Sequence, residues 1–313
     1  MGWLSAFAAR VRQGPPLGGD AVLKRVAEAA AAVDPFVFTF DDLDGLDVLA
    51  FRVDEPFPHY LYVTFGLSRV RSSVPVAGTQ TELTMRVAAD SPVPYAWPAE
   101  RLAGMVAQVR RTGSEIAPGH HMVTADGGFT FVVDPVLTLA DAPTGIIRFT
   151  YAVGVTAREL DAALSWDPAK FTGVLGDYVP LGLTDPARGD IMDIDEARAR
   201  VEAGMADEGS SISAMQATHL VIDPCGHIEI DQRSAQALLR AARFRLRFGR
   251  TFALVNRDAA LLLIDAPFNL SPAHAEIPAT PAFAAELIAV LDVEPATYRL
   301  RSVPIEIEVV ETP

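Results

Sequence analysis

The chain has 313 residues, half of them hydrophobic and 21% charged, a globular composition with enough length for two cores. Its formal net charge of −14 argues against a nucleic-acid binder, which needs clustered Lys and Arg to neutralise phosphates, and favours basic partners instead. With one cysteine, Cys225, neither an intramolecular disulfide nor a thiolate zinc cluster can form.

The first residues, "MGWLSAFAARVRQGPPLGG", are read as an N-terminal extension over 1–19. Arg10 and Arg12 interrupt any signal-like apolar core, and Ala6 breaks the myristoylation pattern. No uninterrupted apolar run reaches the roughly 18 residues of a membrane span. The expectation is a cytoplasmic protein with no membrane partner.

In chain order, "DAVLKRVAEAAAAV" predicts a helix capped by Asp20. Strands are expected at Leu46–Val53, Tyr60–Leu67 and Thr79–Val87. In the second, Leu61, Val63, Phe65 and Leu67 alternate with Tyr60, Tyr62 and Thr64. In the third, Glu82, Thr84 and Arg86 form a polar face opposite Leu83, Met85 and Val87. The clearest helix runs from Pro98 to Gly113, with Leu102, Met105, Val106 and Val109 on one face.

Strands follow at 127–134 and 145–155. Thr156 and Glu159 have capping-box spacing for a helix over Ala157–Leu164, and Asp195 precedes a second candidate helix as its cap. Further on, the pattern predicts strands at Phe252–Val255, Ala260–Ile264 and Pro304–Val310, and a Thr280-capped helix at Pro281–Leu291. The fold class is α+β: two α/β domains, over 20–215 and 216–313, with largely antiparallel or mixed sheets flanked by helices.

Few motifs carry chemistry. Gly66-Leu67-Ser68-Arg69-Val70 has only the first glycine of a nucleophile elbow, so Ser68 reads as a strand-end hydroxyl. His120 and His121 are adjacent and point oppositely on an extended chain; His59, His219, His227 and His274 are scattered, and no spacing brings three histidines together. A hydrolase or metal enzyme built on His120 and His121 is the least favoured reading. "DPCGH" sets Cys225 two residues from His227, weak support for a thiol–imidazole pair. Residues 185–208 hold eight acids against Arg188, Arg198 and Arg200, without the glycine of a calcium loop, and read as a polar capping segment.

Taken together, "YVTFGLS" (62–68), "ELTMRV" (82–87), "WPAERLAGMVAQVRRTG" (97–113), "PGHHM" (118–122), "VGVTARELDAALSW" (153–166), "LTDPARGDIMDID" (183–195) and "RVEAGMADEGSSIS" (200–213) resemble the suppressor of fused family. A weaker echo continues in "RLRFGRTFALVN" (245–256) and "PAFAAELIAVL" (281–291). The resemblance implies two α/β domains with a groove between them and a non-catalytic role, with no cofactor or metal.

Animal members bind Gli-type transcription factors, holding an extended peptide by strand addition. Bacterial members are associated with polymorphic toxin systems as immunity proteins. The resemblance therefore implies a protein or extended-peptide partner, a basic toxin domain by preference, or else a regulatory adaptor role. Its candidate partner-binding residues are Gln108, His120, Asp185 and Arg188. Gln108 stands where animal members have a peptide-contacting tyrosine and His120 where they have an aspartate, so the animal peptide specificity does not carry over.

Overall fold

The computed structural model describes residues 19–32, 34–43, 45–68, 81–113, 116–142 and 145–311. Residues 1–18 of the expected extension, and Arg69 and Val70 of the elbow comparison, lie outside them. The chain forms two compact units: residues up to Leu160 with Pro168–Ala197, and Asp161–Asp167 with Arg198–Pro313. The architecture is mixed α/β with mixed sheets flanked by helices, the class the pattern predicts.

The first unit is built on a seven-stranded sheet. Its strands are β1 (Phe36–Phe40), β2 (Leu46–Val53), β3 (His59–Phe65), β4 (Thr81–Ala88), β5 (His121–Thr124), β6 (Gly127–Ala142) and β7 (Gly145–Thr156). They lie in the order β1-β2-β3-β4-β7-β6-β5, with β4–β7 parallel and the other pairs antiparallel. Helices α1 (Gly19–Ala30) and α2 (Trp97–Thr112) supply apolar stripes to two separate core clusters.

β3 is buried along its whole length, although its alternation predicts a half-buried strand. Leu61, Val63 and Phe65 share a core with Val22 and Val26 of α1; Tyr60 and Tyr62 share one with Leu102, Met105, Val106 and Val109 of α2. The tyrosines can be buried because each hydroxyl finds a carbonyl, Tyr60 at Ser91 (3.0 Å) and Tyr62 at Tyr95 (2.8 Å). Leu67 departs from the expected face and joins the α2 side, because the strand ends at Phe65 and Gly66 turns the chain at φ 139°.

α1 begins at Gly19, so Asp20 lies inside its first turn instead of capping it. It stops short of Val33, because Ala31 adopts φ 49° and the Ala32 N–H reaches back to the Ala27 carbonyl (3.1 Å). α2 follows expectation, with Pro98 near its start and Gly113 (φ 72°) donating to the Val109 carbonyl at its end.

The polar face of β4 is the main departure. Glu82, Thr84 and Arg86 are all buried, and Arg86 meets Asp134 of β6 in a bidentate pair at 2.8 and 2.9 Å. Asp134 also accepts from Thr84 Oγ1 (2.7 Å) and from the main-chain N–H groups of Val136 (2.9 Å) and Leu137 (3.0 Å). Those two N–H groups sit where the β6–β7 register shifts, between Val133 and Thr138. Asp134 thus satisfies a β-bulge from inside, and β6 continues past the expected end at residue 134 to Ala142.

The remaining helices are α3 (Ala157–Ser165), α4 (Pro168–Tyr178) and α5 (Asp195–Glu208). α3 starts with the expected capping box: Thr156 N donates to Glu159 Oε2 (2.9 Å) and Glu159 N to Thr156 Oγ1 (3.2 Å). α5 takes Asp195 into its first turn.

The second unit holds two sheets around one core. Strands β8 (Ala214–Gln216), β9 (Leu220–Ile222), β10 (His227–Asp231), β11 (Phe252–Val255), β12 (Ala260–Ile264), β13 (Asn269–Ser271), β14 (His274–Pro278), β15 (Ala296–Arg299) and β16 (Glu306–Val310) form the orders β15-β16-β10-β9 and β13-β14-β12-β11-β8. Helices α6 (Gln232–Phe244) and α7 (Pro281–Val290) join Ile228, Ile230, Leu254, Leu263 and Ile307 in that core. α7 has its expected cap, Thr280 Oγ1 accepting from Phe283 N at 3.1 Å. α6 was not foreseen; Asp231 caps it by accepting from Ser234 N (2.8 Å).

Replacing Asp134 with Ala strands a buried guanidinium and is expected to cost about 3–5 kcal/mol, read from urea unfolding. Burial alone would raise the Asp134 carboxyl, but the Arg86 guanidinium, the Thr84 hydroxyl and the Val136 N–H outweigh it and hold the carboxyl below its ordinary value. A carboxyl lowered on folding contributes stability above about pH 3.9 that is lost as pH falls through its folded value. The acid-induced loss of stability in that window is therefore smaller in Asp134→Asn than in wild type; equal losses would show that this carboxylate does not govern it.

Candidate functional site

The four candidate partner-binding residues all belong to the first unit. α2 buries Leu102, Met105, Val106 and Val109, which leaves Gln108 on the exposed side of the helix. The carbonyls of Ser91 and Tyr95, held by the two buried tyrosines, fix the loop that delivers α2.

His120 is exposed, at the end of a turn in which its N–H donates to the Ala117 carbonyl (3.0 Å). Gly119 N donates to Phe131 O (2.7 Å) and Phe131 N to His120 O (3.0 Å), which ties the turn to β6. His121 then opens β5, the outermost strand on this side of the sheet. β5 pairs with β6 in the register His121↔Thr130, Met122↔Phe129 and Val123↔Gly128. Antiparallel alternation, counted from the His120–Phe131 bond, sets Met122 against β6 and turns the Val123 N–H to the open side. The Val123 side chain is 42% exposed. The result is a short sheet edge preceded by His120.

Asp185 and Arg188 sit in a loop fastened to the buried network. Arg86 stacks on the Tyr151 ring (4.6 Å), and the Tyr151 hydroxyl donates to the carbonyls of Leu181 (2.8 Å) and Gly182 (2.7 Å). Thr184 N donates to Arg86 O (2.8 Å), and Thr184 Oγ1 accepts from Gly154 N (2.9 Å). A Cβ at Gly154 would lie 2.4 Å from Thr184 Cγ2, so this crossing requires glycine. Asp185 is exposed, its carboxylate accepting from Ala187 N (2.8 Å).

The Arg188 side chain is only 11% exposed and makes a bidentate pair with the fully buried Glu159 carboxylate, at 2.6 and 2.5 Å. Glu159 is also the capping-box acid of α3. Other acids of the run are used singly: Asp190 accepts from Thr156 Oγ1 (2.6 Å) and Met192 N (2.7 Å), and Asp193 pairs with Arg158 (2.6 Å).

Ser68 is 4% exposed and its hydroxyl donates to Glu82 Oε1 (2.6 Å). The same carboxylate accepts from Ser68 N (2.9 Å), Gly66 N (3.2 Å) and Thr64 Oγ1 (2.7 Å). Burial pushes the Glu82 carboxyl up against the pull of these hydrogen bonds. Ser68 closes a turn around a buried acid, which is structural work. Cys225 is drawn into a turn with Asp223, whose hydrogen bond and charge raise the thiol, while the His227 ring nitrogens face carboxylates. The sequence could not indicate that His219 and His227 come together with Glu229, Glu306 and Glu308, since that cluster depends on strand pairing.

Residues 42–189 match the family model described as Suppressor of fused protein (SUFU). The Homo sapiens suppressor of fused homolog is 27% identical over 186 residues, covering 51% of this chain and 38% of that protein; the Mus musculus homolog has the same figures. Residues 42–189 thus carry the likeness to the suppressor of fused family, and the matched stretch spans well under half the length of these curated relatives. The crystal structure of Drosophila Suppressor of Fused superposes with a TM-score of 0.71 at 17% identity, covering 96% of this chain and 98% of that one. A chain of the Sufu-Fu complex crystal structure gives 0.51 at 21% identity, covering 62% and 99%. At these identities the likeness is one of fold. Gln108, His120, Asp185 and Arg188 all lie within the matched residues.

Arg188→Ala leaves the buried Glu159 without its cation and is expected to cost about 3–5 kcal/mol in chemical denaturation. Exposed Asp185→Ala should shift stability by about 1 kcal/mol or less. A stable Arg188→Ala variant would mean that the guanidinium is available to a partner.

Proposed function

We propose that this protein is a non-catalytic, cytoplasmic protein-binding protein whose β5 edge accepts an extended segment of its partner as an added strand. The observation that carries the reading is this sheet edge, on which no further strand is paired among the described residues, bordered by exposed His120 and lying inside the suppressor of fused match. Main-chain groups along an unpaired edge give affinity, and the flanking side chains give choice. That a family member was solved as a Sufu-Fu complex supports protein binding as the mode of action. Among the described residues no helix is long and apolar enough to cross a membrane.

The partner we favour is a basic domain, and the finer role is an immunity protein that neutralises a toxin by occupying it. The net charge of −14 supports this, since opposite charge accelerates encounter and disfavours acidic bystanders. Gln108, His120 and Asp185 are exposed and supply the contacts; Arg188 holds the 185–190 loop in place.

The test begins with affinity capture from the native host at low and moderate salt, then titration of the purified partner into wild type and Val123→Pro. Proline removes an N–H that β6 does not use, so the fold is retained while strand addition is blocked. The expected result is a basic partner whose affinity falls with salt and drops at least about tenfold in Val123→Pro, on the scale of 1.4 kcal/mol per decade. Undiminished binding by a folded Val123→Pro variant would remove the edge, and an acidic partner insensitive to salt would remove the toxin reading.

A further inference from the structure

In the second unit, the β15-β16-β10-β9 sheet buries Ile228, Ile230, Ile307 and Val309 on one face and turns His227, Glu229, Glu306 and Glu308 to the other. β10 and β16 are parallel with the register His227↔Glu306 and Glu229↔Glu308, so four metal-competent side chains form a square on two adjacent strands. We propose that this square binds a first-row divalent transition metal, zinc by preference, through His227 Nε2 and one carboxylate oxygen each from Glu229 and Glu308.

The geometry supports the assignment. His227 Nε2 lies 3.1 Å from Glu308 Oε2 and 3.6 Å from Glu229 Oε1. Two ligands bound to zinc at about 2.0–2.1 Å in a tetrahedron are separated by roughly 3.4 Å, within that range. One ligand atom from each of His227, Glu229 and Glu308 lies within 4.8 Å of the others.

The opposite ring nitrogen is also engaged: His227 Nδ1 is 3.2 Å from Glu306 Oε1. A carboxylate on the far nitrogen of a ligating histidine fixes the tautomer, leaves Nε2 with its lone pair and increases its basicity. His219 Nε2 stands 3.2 Å from the second oxygen of Glu229, which steadies that carboxylate, and Arg299 does the same for Glu306 at 3.1 Å.

An imidazole nitrogen with two carboxylates suits zinc or its neighbours better than magnesium or calcium, which prefer all-oxygen sets. The three side chains are between 31% and 42% exposed, which leaves a fourth position open to water or to a ligand brought by a partner. The ligands stand on paired strands, which hold them more firmly than loops would. The competing account is a doubly protonated His227 that makes ion pairs with its glutamates and binds no metal.

The experiment is calorimetric titration of zinc chloride into the tag-free full chain after chelator stripping, repeated with His227→Ala, Glu308→Gln and Glu306→Gln. Wild type is expected to take up one zinc per chain and to melt at a higher temperature with zinc than without. His227→Ala and Glu308→Gln should each lose at least about 100-fold in affinity, and Glu306→Gln about 10–100-fold, because it removes the carboxylate that orients the far nitrogen of His227. Melting of the metal-free variants checks the fold, and Glu308→Gln, a near-isosteric change at a partly exposed site, keeps the test valid if His227→Ala unfolds. No zinc uptake by wild type, undiminished uptake by a folded Glu308→Gln variant, or magnesium competing equally would each overturn the proposal.

Discussion

The first unit depends on one carboxylate. Asp134 accepts five hydrogen bonds: two from Arg86, one from Thr84 and two from the main chain of its own bulge. A buried charge is tolerable only when paired and hydrogen-bonded: Asp134 is satisfied on every side, and Arg86 is paired to it bidentately. Arg86 in turn stacks on Tyr151, and Tyr151 and the Arg86 carbonyl hold residues 181–184. The loop carrying Asp185 and Arg188 is thus fixed by contacts that begin inside the sheet. A second buried pair, Glu159–Arg188, fastens its far side.

Elements with strong local signals were legible in the sequence. Leu46–Val53, Phe252–Val255 and Ala260–Ile264 match their expected bounds, and the capping box at Thr156 and Glu159 forms with both hydrogen bonds. α2 was legible because proline, a four-residue apolar stripe and a closing glycine agree. Less legible were features that depend on distant chain. The polar face of β4 was legible as polar but not as buried, because Arg86 gives no sign of a partner 48 positions away. α6 is a different case: its signal is local, with Asp231 as cap and Ala235, Leu238, Leu239 and Ala242 buried, and it was passed over in the sequence.

The same limit applies to the functional residues. Gln108 lies off the apolar stripe of α2 and is exposed, as is Asp185. Arg188 was a candidate contact alongside them, yet its guanidinium is turned inward to Glu159. The acidic run reads as a charged stretch, but Asp190 and Asp193 each have a separate structural partner. Charge counted along a chain therefore overstates the charge offered to a partner.

The parallel pairing of β10 with β16 also shapes how the second unit folds. His227 and Glu306 are 79 residues apart, so the pair forms only after a long loop closes, whereas β9 is within immediate reach of β10. Until then, one side of β10 is an unpaired edge in the folding chain. Its sequence, His-Ile-Glu-Ile-Asp, places an ionisable group at every second position, and such groups discourage adventitious pairing between chains. The residues that later form the square beside Glu306 and Glu308 would thus guard an exposed strand during assembly before serving the finished sheet.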